Sequence, residues 1–98
     1  MNTPEQITVL ARWLTPPERT AEVLGLVATL RERSLAEVGC LGYEVFRCAD
    51  DPATILLMER YRHSAAIEGH RGWAHYRELV VELILPLLAG RQVELLHA

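Results

Sequence analysis

The strands of this chain carry apolar residues on both faces. In Ile7 to Leu14 (ITVLARWL), rich in β-branched and aromatic residues and so read as a strand, Ile7, Val9, Ala11 and Trp13 point one way while Leu10 and Leu14 point the other. In Thr54 to Tyr61 (TILLMERY), Ile55 and Leu57 oppose Leu56 and Met58. A sheet with one wet face alternates apolar and polar side chains. These strands do not, so both faces need cover. Helices can cover one, and a second copy of the same sheet is the simplest cover for the other, which makes a homodimer the expected working unit.

The rest of the chain supplies the helices. Thr15-Pro16-Pro17-Glu18 reads as a helix start, with Thr15 as cap, Pro16 in the first helical position and Glu18 completing a capping box. The helix is expected to run to about Val38, with Val23, Leu24, Val27, Leu30, Leu35 and Val38 on its apolar side and Glu22, Arg33 and Glu37 outside it. Gly39 ends it by turning φ positive. Leu41 to Cys48 (LGYEVFRC) is a second strand, joined through the turn residues Ala49-Asp50-Asp51-Pro52 to the strand at Thr54. Ser64 starts a short helix to about His70, and Trp73, Tyr76, Val80, Leu83 and Leu87 mark a buried stripe on a longer helix from Trp73 to about Leu88. Pro86 disturbs its last turn. Gly90 closes it and Gln92 to Leu96 (QVELL) is a final strand. The order β-α-β-β-α-α-β is the split βαβ pattern of the ferredoxin-like fold, an α+β fold with a four-stranded antiparallel sheet and helices on one face.

Ninety-eight residues, half of them apolar and 23% charged, make one domain over residues 1–98 with a thin core. All ten cationic residues are arginine, and the formal net charge is −3. No basic cluster is present to bind nucleic acid. No apolar run approaches the roughly 20 residues that span a bilayer. Met1 to Glu5 lacks the features of a signal peptide, so a cytoplasmic location is expected. Cys40 and Cys48 sit at opposite ends of one strand, roughly 26 Å apart. A disulfide needs about 7 Å between Cα atoms, so they cannot pair with each other.

The ordered residues resemble a known family. Glu37-Val38-Gly39-Cys40 followed by Tyr43-Glu44, the Asp50-Asp51-Pro52 hairpin, the strand end Glu59-Arg60-Tyr61, His70 followed by His75-Tyr76, and Pro86 to Gly90 resemble, in order and spacing, the antibiotic biosynthesis monooxygenases. The resemblance covers nearly the whole chain. It implies a dimeric α+β barrel, in which two ferredoxin-like sheets face each other. It also implies oxidation of a quinol or anthrone-like aromatic by molecular oxygen, without metal, flavin or haem. The family is mixed, so a non-enzymatic protein that binds a small aromatic ligand and an isomerase of a small oxygenated metabolite are the alternatives. Haem-degrading relatives fit poorly, since they use an asparagine where this chain has Ala11 and a histidine where it has Leu83.

Oxygen activation without a cofactor requires an electron-rich phenol to lose a proton and then an electron. The protein needs flat apolar walls, one titratable group and few waters. His70 is the candidate proton-handling residue, its other reading being a structural tie between the late helices. Trp73 and Tyr76 are expected on the substrate wall or in plain core, and Tyr43 adds a hydroxyl or only packs. Arg77 stands ready for a phenolate or is a solvated side chain. Glu59, among apolar neighbours, is expected to pair with an arginine and stabilise the dimer. His63, His75 and His97 are expected at the surface. A metal site is not expected: five positions on a continuous helix put His70 and His75 roughly 140° apart, and no HxH or HxxxH spacing occurs.

Overall fold

The computed structural model describes residues 6–97, so the reading of Met1 to Glu5 lies outside the described residues. Strand β1 (Ile7–Leu14) leads to helix α1 (Thr20–Leu35), then to β2 (Cys40–Arg47), β3 (Thr54–Tyr61), helix α2 (Ser64–Gly72), a wide helix α3 (Tyr76–Ile84) and β4 (Gly90–His97). The four strands form one antiparallel sheet in the order β2-β3-β1-β4. This is the α+β ferredoxin-like arrangement expected from the order of elements.

The helices lie on the face that carries Ile7, Val9, Ala11 and Trp13. Val23, Val27 and Leu30 of α1 and Leu79, Val80 and Ile84 of α3 meet Ile55 and Leu57 there in one buried cluster. Burying each of these side chains contributes about 2 kcal/mol. Among the described residues nothing covers the opposite face: Leu14, Phe46 and Leu96 are 39%, 43% and 46% exposed.

Several local expectations are corrected. Thr15 does not cap a helix. Its hydroxyl donates to Ala53 O at 2.7 Å and meets the Thr20 hydroxyl at 2.6 Å, while Pro17–Arg19 form a tight turn ahead of α1. Helix α1 ends at Leu35, so Val38 leaves the apolar side and is 88% exposed. Gly39 does not have positive φ. It is needed for space, because a Cβ there would collide with the side chain of Ala66 on α2. β2 begins at Cys40 rather than Leu41.

The expected helix from Trp73 to Leu88 is broken and rewound. Trp73 is extended, with φ −72° and ψ 147°, and is 53% exposed. From Tyr76 the coil is π-helical, with bonds of the kind Leu85 N–H to Val80 O, five residues back. Widening the coil moves the inward positions, so Leu79, Val80 and Ile84 are buried while Leu83 is 48% exposed. A 3–4 spacing cannot describe that surface.

Candidate functional site

Glu37 holds two histidines by one oxygen. His70 Nδ1 and His75 Nε2 each lie 2.7 Å from Glu37 Oε2, and all three side chains are buried. The extended Trp73 makes this possible. His70 lies at the end of α2, the chain changes direction at Trp73, and His75 swings back towards the loop that carries Glu37. The expectation that His75 is a surface group is therefore corrected, as is the placing of Glu37 outside the packed region. The 140° separation assumed for a metal argument also fails, because the helix is not continuous.

A carboxylate oxygen accepts, so both ring nitrogens donate to it. In its neutral form, His70 with its proton on Nδ1 has its lone pair on Nε2. That nitrogen lies 3.8 Å from Glu59 Oε1, and the same oxygen accepts a 2.6 Å hydrogen bond from the Tyr61 hydroxyl. The series His75, Glu37, His70, Glu59, Tyr61 thus runs through the core. The ring of Tyr76 meets His70 edge-on, with centroids 5.0 Å apart, and Tyr61 flanks it at 5.5 Å.

Glu59 lies on the helix-covered face of the sheet, opposite Val9 and Tyr43. Its partners are Tyr61 and His70 rather than an arginine, which corrects the expected ion pair. Burial pushes its carboxyl above the usual carboxylate range, against the hydrogen bond from Tyr61 and the charges of His70 and Arg71. Burial likewise raises the Tyr61 phenol, and the neighbouring Glu59 adds to the effect.

A cavity opens on this group between the sheet and the helices. His70, Glu59, Tyr61 and Tyr76 form its polar end, and Val9, Ala11, Val80 and Val93 form its apolar walls. Water centres can occupy about 50 Å³ of it, and all the empty space between its walls and out to solvent comes to about 430 Å³. The smaller volume is room for a few waters.

Of the residues singled out from sequence, His70, Tyr76 and Glu59 meet at this cavity. Trp73 does not. It stacks on His75 at 5.8 Å and lines a separate outer groove with Arg33 and Glu37. Tyr43 is 1% exposed in the core, its phenol raised by burial first and then by Glu59, and it does not line the cavity. Arg77 is exposed and also outside it. Sequence reasoning missed the roles of Glu37, His75 and Tyr61, although all three lay within the quoted family segments. The donor atoms of Glu37, His70 and His75 lie within 4.8 Å of one another, a set that suits a transition metal in kind. Both nitrogens, however, converge on one oxygen at hydrogen-bond distance instead of surrounding a common point.

Residues 6–82 match the model of the antibiotic biosynthesis monooxygenase family. The chain belongs to that family. Over 70 residues it is 33% identical to Rv0793 of Mycobacterium tuberculosis, provisionally named a monooxygenase, covering 71% of this chain and 68% of that one. The solved structure of Rv0793 superposes with a TM-score of 0.86, covering 93% of this chain and 92% of that one at 29% identity. A crystal structure titled as an antibiotic biosynthesis monooxygenase gives 0.88 at 30% identity, covering 94% and 97%. PA3566 of Pseudomonas aeruginosa, 22% identical with a TM-score of 0.91 and covering 100% and 98%, shares the fold. Among the described residues no helix is long and apolar enough to cross a membrane.

Proposed function

We propose that this family member is a cofactor-independent monooxygenase that oxidises a quinol or anthrone-like aromatic with molecular oxygen, and that His70 moves the proton. The observation that carries this reading is the setting of His70. Glu37 occupies Nδ1, and Nε2 is left on the cavity side next to Glu59. A histidine oriented through one nitrogen and free at the other is a general base of the right kind for a phenol.

In this scheme Nε2 takes the phenolic proton, and the resulting anion passes one electron to oxygen. The two radicals combine at the ring carbon to form a peroxide. The C–H bond at that carbon and the O–O bond then break: one oxygen stays as a carbonyl, and the other leaves as hydroxide with the former C–H hydrogen and takes the His70 proton to become water. One oxygen atom ends in the product and one in water, and all four electrons come from the substrate. Apolar walls keep bulk water from the peroxide. We also infer that the working unit is a homodimer joined through the uncovered sheet face.

The narrowness of the cavity favours a second reading, an isomerase that uses the same pair to shift a proton within a small oxygenated metabolite. Oxygen uptake by metal-free protein over hydroquinones, naphthoquinols and anthrones separates the two. Uptake above autoxidation that collapses in His70→Ala supports the monooxygenase. Uptake that the substitution leaves intact removes His70 from the mechanism. No uptake across the panel favours the isomerase, or a binding protein if ligands raise Tm without turnover.

A further inference from the structure

The cavity has two different ends. Glu59 stands opposite Val9 in the sheet, while Arg91 stands opposite Trp13 four residues further along β1. At the rise of a strand that is a separation of about 13 Å along the cavity floor. Between them the floor is Val9, Ala11 and Val93. The proton-handling group thus lies at one end, an apolar slot follows, and a guanidinium stands at the other end.

Arg91 lines this cavity, and so does Arg71, which follows His70 on α2. Among the described residues neither makes a hydrogen bond or an ion pair with a protein group, whereas Arg19, Arg31 and Arg47 all do. The charge of Arg71 reaches Glu59, but its guanidinium is not bonded there. β4 is exposed along its length, with Val93 46% exposed, so the slot is open on the side where Arg91 stands. An apolar slot with unpaired planar cations at its rim suits a flat ligand that ends in an oxyanion, which a guanidinium binds with two parallel N–H bonds.

We propose that the ligand of this cavity is an aromatic carboxylate, with its carboxylate held by Arg91 at the far end and its oxidisable ring placed against His70. The inference rests on the catalytic reading above and names the substrate class for it. Arg91 is then a specificity residue. Arg71 closes the rim beside the reacting end and adds a weaker, less directional attraction.

The test compares 2-anthracenecarboxylate with its neutral twin, 2-anthracenecarboxamide, by tryptophan quenching in wild type, Arg91→Gln, Arg91→Lys and Arg71→Gln. The carboxylate is expected to bind wild type roughly tenfold more tightly than the amide, as one charge-assisted contact supplies. That preference should vanish in Arg91→Gln, survive in part in Arg91→Lys, shrink slightly in Arg71→Gln, and weaken with salt. Equal binding of the two probes by wild type overturns the proposal, as does a loss in Arg91→Gln that is the same for both. Failure of the carboxylate to bind wild type at millimolar concentration overturns it too. Each of these results leaves the monooxygenase reading standing, because that reading is decided separately by oxygen uptake on neutral quinols.

Discussion

His70 and His75, five positions apart in the chain, bring their ring centroids to within 5.9 Å across the break at Trp73. They meet because each needs the same acceptor. Their roles differ, however: His70 lines the cavity and His75 does not. Replacing His70 by Ala is expected to lower kcat/KM by roughly 10²-fold or more, the usual loss of a general base. Replacing His75 by Phe should remove one buried hydrogen bond, cost about 1–2 kcal/mol in urea unfolding, and change turnover by no more than roughly threefold. Equal kinetic losses in the two variants would contradict this division of labour.

Glu37 should couple stability to turnover. Glu37→Gln keeps its size but turns an acceptor for two N–H donors into a group that is itself half donor. A loss of about 3 kcal/mol is expected in denaturant melts. Because a neutral amide oxygen is a weaker acceptor for Nδ1–H and fixes the tautomer of His70 less firmly, kcat should fall roughly ten- to a hundredfold with KM nearly unchanged. A rise in KM alone would assign Glu37 to binding instead of positioning.

The strands and α1 were legible because their signals are local. The readings of ITVLARWL and TILLMERY as strands hold over their full lengths, which pair residue by residue as β1 and β3. Glu37 was not legible, because its burial depends on partners 33 and 38 positions away. Read on α1 alone, it belongs to solvent. Nor does any local signal announce the π-helical coil after Trp73. A bond from Leu85 back to Val80 instead of Val81 is decided by which residues the sheet accepts, so the expected stripe misplaced Leu83.

Glu59 makes stability depend on pH. Its carboxyl is raised in the folded protein by burial. Below the ordinary carboxylate pKa of about 4.3, both folded and unfolded chains carry the proton, and its contribution is fully present. As pH rises through and above that value the unfolded chain ionises first, so the contribution is lost up to the raised folded pKa. Wild type should therefore lose stability relative to Glu59→Gln as pH rises through this window. Urea melts of both proteins at several pH values would show it, and parallel curves would count against a raised Glu59.

Ser34 offers a test independent of function. Its hydroxyl is fully buried at the end of α1 and has no hydrogen-bond partner among the described residues. A buried unsatisfied hydroxyl costs about 1–3 kcal/mol, and alanine is the better helix former. Ser34→Ala should raise stability by about 1 kcal/mol in urea melts. A destabilised variant would mean that the hydroxyl finds an acceptor in solution.

The uncovered sheet face sets the last expectation. Phe46 pairs across β2 and β3 with Leu56, and Leu10, Leu14, Met58 and Leu96 share that face by register. So many apolar side chains on one side are a natural seat for another sheet of the same kind, and a twofold axis would place like residues together. A Phe46→Glu substitution then sets two carboxylates into one apolar interface, where desolvation and repulsion act together. Wild type should run as a dimer by light scattering at micromolar concentration, and Phe46→Glu as a folded monomer. Because Phe46 points away from the helices and is 43% exposed in the single chain, the substitution leaves the core intact. Circular dichroism should therefore show an unchanged fold. A wild-type monomer at that concentration would remove the dimer and leave the two-faced strands without their explanation.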